Sequence, residues 1–304
     1  MPLEGRGKDY TAMRAASEWL LARAFRGGWT ARLVHRLGLQ PPVVTIEHRI
    51  TCLRWPEGVR PLRIGFVSDL HEGPTTHPSL IAEAARALRA AQPDVLLLGG
   101  DYVYLHGAGI HDLVPRFDDV PAPLGRFAVY GNHDLWAHDE TVRLALECGG
   151  FEVLANANAP LPAPFEHVSI CGLDDPWVGE PDVRATFDGA RDVKVLLMHA
   201  PEGLMIVGDA PFDVAVCGHT HGGHIALPGG VPIVSAGPLS RRFSRGLYDA
   251  GGRPVIVSKG IGATESALRL FADPDIRIVT IGPPERGRRR TADDLGAPPA
   301  TADQ

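Results

Sequence analysis

Five short apolar runs in this 304-residue chain each end on a side chain able to hold a metal ion. Residues 63–69 run into Asp69 and His71, residues 94–98 into Gly100 and Asp101, and residues 127–130 into Gly131, Asn132, His133 and Asp134. Residues 193–198 stop at His199, and residues 214–217 at Gly218, His219, Thr220 and His221. Apolar runs this short, bounded by turn residues, read as buried strands. Residues 78–91 instead place Leu80, Ile81, Ala84, Ala85 and Leu88 on a helical stripe, and residues 141–148 form a second helix after its loop. Strand, loop, helix, strand is the pattern of parallel α/β units. Sites in open α/β sheets lie beyond the carboxyl ends of the strands, so five such ends point at one shared location.

The remaining pattern divides the chain into residues 1–42, 43–282 and 283–304. Residues 43–53 alternate as a half-buried strand before Pro56, and residues 167–171 and 276–281 read as further strands. The second half of the long zone carries more antiparallel signals. Residues 246–259 read as a hairpin about Gly251 and Gly252, with Pro254 indicating an edge position. Two half-domains, each a sheet with outer helices, fit this order. In the first zone, helical spacing gathers Leu21, Phe25 and Trp29 with arginines between them, and Gly27-Gly28 bends the helix. Such a segment either packs on the domain edge or lies in the headgroup region of an anionic membrane. The tail, 283–304, is rich in proline, alanine and charge and is expected to be disordered.

A formal net charge of -6 argues against nucleic acid as a partner held by phosphate contacts. The four cysteines lack finger or redox spacing, which favours a reducing compartment. No apolar stretch reaches the roughly 18–20 residues of a membrane-spanning helix. A cytoplasmic protein is expected, in solution or peripheral on the inner membrane face.

Imidazoles, carboxylates and one amide oxygen suit two borderline divalent ions. Two-metal hydrolysis places such ions about 3.5–4 Å apart, clamping the attacking and leaving oxygens. Asp69 and His71, like His219 and His221, are separated by one residue, a spacing that lets both reach the same ion. Each cluster alone is weak, since Gly-Asn-His-Asp could be an ordinary turn. All five in this order, at strand ends, are a strong signal.

These motifs, Asp69-x-His71, Gly100-Asp101, Gly131-Asn132-His133-Asp134, His199 and Gly218-His219-x-His221, resemble the calcineurin-like metallophosphoesterase superfamily over residues 62–282. The resemblance implies a four-layer α/β/β/α sandwich with two mixed inner sheets. It implies that Asp69, His71 and His221 bind one metal, that Asn132, His199 and His219 bind the other, and that Asp101 bridges them. It makes His133 the acid, or the stabiliser of charge, at the leaving oxygen, with Asp134 orienting its imidazole. The cofactors implied are two divalent ions, with manganese, iron, zinc and cobalt all compatible.

The longer signature at residues 218–223, with Ser235-Ala236-Gly237-Pro238 and residues 258–262, is similar to the bacterial YkuE/YaeI-type phosphodiesterase branch. Some members cleave the pyrophosphate of UDP-2,3-diacylglucosamine in lipid A assembly. Many begin with a transmembrane helix, which this chain lacks, and His224 stands where glutamine is common. The implied function is hydrolysis of a phosphodiester or pyrophosphate bond, with a lipid-linked substrate and peripheral membrane contact through residues 1–40. The alternatives are a soluble phosphodiesterase or phosphomonoesterase acting on nucleotides or small phosphates, and a non-catalytic scaffold. Arg241, Arg242 and Arg245 are candidates for phosphate contact, and His106, His111 and His138 for reaching substrate from loops. Tyr102 and Trp136 either line the pocket or pack beneath it.

Overall fold

The computed structural model describes residues 5–233 and 237–284. Its strands are β1 (Val44–Thr51), β2 (Leu62–Val67), β3 (Val95–Leu98), β4 (Arg126–Ala128), β5 (Glu152–Val153), β6 (Ala157–Pro160) and β7 (Val168–Gly172). They continue as β8 (Val193–Leu197), β9 (Val214–Cys217), β10 (Ala226–Leu227), β11 (Val231–Pro232), β12 (Gly246–Asp249), β13 (Pro254–Val257) and β14 (Asp275–Gly282). One six-stranded sheet has the order β1-β14-β2-β3-β4-β5 and the other β12-β13-β9-β8-β7-β6, while β10 and β11 form a separate small hairpin. Both sheets are mixed. β2 to β5 run parallel, as do β7, β8, β9 and β13, and the antiparallel pairs are β14 with β2, β6 with β7, and β12 with β13.

Strand alternation sorts side chains between cores. In β3, Val95 and Leu97 face a core shared with Val195, Leu197, Val214 and Val216 of the other sheet, whereas Leu96 and Leu98 face the helices outside. In β9, Val214 and Val216 share that central core, while Ala215 and Cys217 face the opposite outer layer. The sheets therefore pack face to face with helices on both outer sides, a four-layer α/β/β/α sandwich. A strand apolar on both faces reads as a continuous hydrophobic run, which is why these segments stand out in the sequence.

Three helices matter to the site or its surroundings: α1 (Ala12–Ala24), α2 (Trp29–Arg36) and α3 (Pro78–Ala91). α3 begins with Pro78 in its first turn and buries Leu80, Ile81, Ala84, Ala85 and Leu88, the predicted stripe. Between α1 and α2 the chain kinks at Gly27 (φ 73°) and Gly28 (φ 68°), a left-handed conformation that glycine adopts at little cost.

The antiparallel pairs of the two large sheets all involve strands of the second half, at the margins of its sheet and at β14, while β7, β8 and β9 are mutually parallel. One expectation needs correction. Pro254 lies not on an edge strand but at the first position of β13. Only Val255 to Val257 pair with β9, so the missing amide costs no bond on that side. Among the described residues no helix is long and apolar enough to cross a membrane. The expected disorder beyond residue 284, and Ser235 and Ala236 of the longer signature, lie outside the described residues.

Candidate metal centre

Every expected ligand follows the carboxyl end of a parallel strand: Asp69 and His71 after β2, Asp101 after β3, Asn132 after β4, His199 after β8, and His219 and His221 after β9. The backbone there turns sharply. Asp69 (φ 50°), His71 (φ 43°), Asp101 (φ 55°), His219 (φ 69°) and His221 (φ 49°) all adopt the left-handed region. Non-glycine residues rarely do so, at a cost of order 1 kcal/mol or more each, and such strain concentrates at functional sites. Hydrogen bonds between strand ends hold the turns. Asp69 N–H donates to Gly100 O (2.9 Å), His71 N–H to Asp101 O (3.0 Å) and Gly218 N–H to His199 O (2.8 Å). Across the sheets, His219 N–H donates to both Asp69 carboxylate oxygens at 3.0 Å. Glycine permits this crowding. A Cβ at Gly131 would lie 2.2 Å from Asp101 Oδ1, and one at Gly218 2.2 Å from Asp69 Oδ2.

Two groups of donors result. The ligand atoms of Asp69, His71 and His221 lie within 4.8 Å of one another, as do those of Asp101, His199 and His219. Asp101 Oδ2 stands between the groups, 3.6 Å from His71 Nε2 and 3.2 Å from His199 Nε2. Asn132 Oδ1 joins the second group, 3.2 Å from His199 Nε2. His71 and His221 point Nε2 at one another across 3.1 Å, and His199 Nε2 and His219 Nδ1 face across the same distance. His199 Nδ1 sits 2.8 Å from Gly99 O, where its N–H donates, leaving the Nε2 lone pair for the centre.

The charge balance fits cations. Asp69, Asp101 and Asp134 are all buried within this cluster, and His219 Nε2 is buried with no hydrogen-bond partner among the described residues. Burial pushes the Asp69 carboxyl up, and burial together with the neighbouring Asp101 pushes Asp134 up to about 8. Burial also opposes the charge on Asp101, yet His199 and His133 hold its carboxyl well below the usual range. Likewise burial opposes protonation of His199, but Asp101, Asp69 and Asp175 lift it well above its ordinary value. Burial holds His133 and His219 down to about 3, so both are neutral. Imidazoles beside buried carboxylates are the donor set that two borderline divalent ions take, and a cation bound at His199 would replace the proton these carboxylates favour there.

His133 is half-buried at the mouth, with Asp101, His71 and His133 forming a third group of close donors. Its backbone N–H donates to Asp101 Oδ1 (2.8 Å), and its ring meets His71, Tyr104 and Trp136 edge-on. The expected contact with Asp134 is absent among the described residues. Asp134 accepts instead from the backbone N–H groups of Asp101 (2.8 Å), Tyr102 (2.8 Å) and Gly131 (2.9 Å), so it fixes the Asp101 turn rather than the His133 ring. Three of the roughly four lone-pair sites of this carboxylate are thus taken by backbone donors.

The centre opens into a cavity of about 930 Å³, walled partly by Trp136, Trp177, Val178, Ile225 and Ile233. Asp9 and Arg14 line it too, brought there by the N-terminal segment. That segment is fastened to the domain. Arg6 forks onto Asp174 with two 2.7 Å contacts, Gly7 N–H donates to Leu135 O (2.8 Å), and Lys8 N–H donates to Val178 O (2.9 Å). The family matches this frame. The calcineurin-like phosphoesterase pattern spans residues 62–223, from the start of β2 to just past His221.

The chain belongs to the calcineurin-like phosphoesterase family.

Among its relatives is the metallophosphoesterase YkuE of Bacillus subtilis, 30% identical over 253 residues, covering 80% of this chain and 87% of that protein. Another is the phosphodiesterase YaeI of Escherichia coli, 30% identical over 244 residues, covering 78% of this chain and 87% of that protein. A transmembrane protein with a metallophosphoesterase domain from Danio rerio is 25% identical over 300 residues, covering 90% of this chain and 67% of that protein. The chain is thus a metal-dependent phosphoesterase of a two-metal family.

Other expected contacts fall elsewhere. Tyr102 packs beneath the centre, its hydroxyl donating to Val129 O (2.6 Å), whereas Trp136 lines the cavity. Arg245 is engaged with the carbonyl of Gly229, and neither it, Arg241 nor Arg242 lines the cavity; His106, His111 and His138 do not line it either. His224 does, with Nε2 2.8 Å from Ser266 O. Sequence reading missed Asp175, buried just after β7, with its Oδ2 unpartnered and its carboxyl raised by burial to about 6. It follows an apolar strand as the other carboxylates do, so the signal was present. Arg269 gave no such signal. Fully enclosed, it donates to the carbonyls of Ala272, Gly262, Lys259 and His221, tying the His221 turn to the loops after β13.

Proposed function

We propose that this phosphoesterase hydrolyses a phosphodiester or pyrophosphate bond in a lipid-linked substrate such as UDP-2,3-diacylglucosamine, working against an anionic membrane surface. The observation that carries this reading is the cavity: about 930 Å³, with the metal-capable cluster at one end and tryptophan, valine and isoleucine on its walls. A phosphate alone needs far less room, and apolar walls are suited to acyl chains.

In this reading Asp69, His71 and His221 hold one divalent ion, Asn132, His199 and His219 hold the second, and Asp101 is shared. Bound ions supply Lewis acidity, neutralising the phosphoryl oxygens and making water acidic enough to attack at neutral pH. His133 donates a hydrogen bond or a proton to the leaving oxygen, and Asp134 keeps the Asp101 turn in place. Manganese is the first ion to try. The outer faces of α1 and α2, with Met13, Trp19, Leu20, Trp29 and Leu33 exposed beside Arg23, Arg26 and Arg36, supply the membrane contact.

The test is hydrolysis by manganese-loaded protein of UDP-2,3-diacylglucosamine beside bis(4-nitrophenyl) phosphate. Release of UMP and acyl-sugar phosphate is expected, at a higher kcat/KM than the aryl diester. Cleavage of the aryl diester alone would leave the metal assignment standing and move the substrate to soluble phosphodiesters or nucleotides.

A further inference from the structure

Arg14 lies outside the residues matched by the family, yet it is the single arginine or lysine among the described residues lining the catalytic cavity. Its position is built. The guanidinium carbon sits 3.4 Å from the centre of the Trp136 ring, a close cation–π stack. Nε donates to Glu18 Oε1 (2.9 Å), and the other Glu18 oxygen accepts from the Tyr10 hydroxyl (2.8 Å). Trp136 is itself pinned, its Nε1 donating to Lys8 O (2.8 Å). The stack and the Glu18 contact fix the plane of the guanidinium through one nitrogen. Its two terminal nitrogens have no acceptor among the described residues, and a guanidinium presents its donors in a fork matched to phosphate oxygens.

Direction follows from Trp136, whose ring also meets His133 edge-on at 5.5 Å. His133 marks the leaving oxygen in the function proposed above, and the inference rests on that assignment. Arg14 is thus on the leaving-group side. The cavity carries carboxylates at Asp9 and Glu265 as well, so an anionic leaving group would be repelled from that end without a cation there.

We infer that Arg14 is a specificity-determining residue that binds a phosphate carried by the leaving group, so that the enzyme prefers pyrophosphate diesters to simple phosphodiesters. In that reaction the oxygen of water bonds to one phosphorus as the bond between that phosphorus and the bridging oxygen breaks. The bridging oxygen departs with the second phosphorus as a phosphate monoester, and the proton lost by water goes to the product or solvent.

The experiment compares kcat/KM for di(4-nitrophenyl) pyrophosphate with that for bis(4-nitrophenyl) phosphate, in manganese-loaded wild type and Arg14→Gln. A charged hydrogen bond of this kind predicts that the ratio falls about 10- to 100-fold in the variant. Binding of phenyl phosphate, measured by titration calorimetry, should weaken by about tenfold or more. Both rates falling together with the ratio preserved would show that Arg14 only braces Trp136, and would overturn the inference while leaving the proposed function intact. A wild type inactive on both substrates would overturn the function and the inference with it. Should Arg14→Gln lose its native melting transition, Arg14→Lys takes its place. A lysine keeps the charge but not the fork, so the ratio should fall at least about threefold, and an unchanged ratio would again overturn the inference.

Discussion

Individual side chains in this protein sit where their burial and their chemistry conflict, and the conflicts locate the site. His133 is neutral, its ring has no hydrogen bond to a carboxylate among the described residues, and only its backbone N–H donates to Asp101. The ring then serves as a neutral N–H donor to the charge developing on the leaving oxygen, and its loss in His133→Ala should lower kcat by about 10²- to 10³-fold. Bound manganese, measured by elemental analysis, should stay close to wild type; loss of both ions would make His133 a ligand instead. A second residue tests stability far from the centre. His48 in β1 accepts at Nε2 from Arg277 (3.1 Å), whose guanidinium is itself paired with buried Asp275. Burial, then the Arg277 charge, hold His48 down to about 4 from its ordinary 6.5, against the pull of Asp275. Between those pH values the unfolded chain binds the proton and the folded one does not, so stability rises with pH and is lost as pH falls. The difference amounts to about 1–3 kcal/mol. His48→Gln keeps an acceptor for Arg277 without titrating. Denaturant unfolding should show a shallower decline from pH 6.5 to 4 in the variant than in wild type.

At the scale of elements, the strand ends and the N-terminal helices behave differently. The turns after β2, β3 and β9 carry left-handed residues that point ligands toward the centre, and the alternation of the strands before them is satisfied by two cores. α1 has no such anchor: it buries none of its residues, with Trp19 63% and Leu20 59% exposed, while the segment before it is bolted to the domain through Arg6, Gly7 and Lys8. Of the two sequence expectations for this zone, packing on the domain holds for the stretch before α1, while membrane contact is the proposal made above for the exposed faces of α1 and α2. The membrane contact proposed above predicts that Trp19→Glu with Trp29→Glu reduces sedimentation with phosphatidylglycerol vesicles at least about threefold, because each change removes apolar surface and adds a like charge. These exposed positions avoid Arg6, Lys8 and Arg14, so hydrolysis of a soluble aryl diester reports separately on the centre. Equal vesicle binding by the variant would remove α1 and α2 from the proposal.

For the whole molecule, two sheets meet over one central core, and the ligands come from both: Asp69, His71, Asp101 and Asn132 from the first, His199, His219 and His221 from the second. Ions held by these residues would join the two sheets across the top of the sandwich. Metal binding to the folded state alone stabilises it by about 2.7 kcal/mol at a hundredfold excess over Kd. For a domain this large that corresponds to a rise in Tm of roughly 5–10 °C. Melting with manganese against melting after chelation measures it, and an unchanged Tm would argue that the donor groups do not hold ions in the native state.

Much of this was legible in order along the chain because the signals are local. An apolar run of β length followed by Asp-Leu-His or His-Thr-His announces both a buried strand and a turn rich in donors, and β2, β3, β8 and β9 appear where periodicity places them. The stripe of α3 and the break at Gly27-Gly28 are equally local. What the chain order left undecided depends on packing between distant segments. Asp134 follows His133 directly, yet it serves Asp101, because the turn after β3 brings it two backbone amides and Gly131 after β4 a third. Arg269 closes the His221 turn through four carbonyls that no spacing links to it. Arg14 reaches the cavity only because Arg6, Gly7 and Lys8 pin the preceding segment to the domain. Periodicity and turn chemistry act over a few residues and so can be read from sequence. Which buried donor meets which acceptor is decided only when the sheets close and each polar group must find a partner out of water.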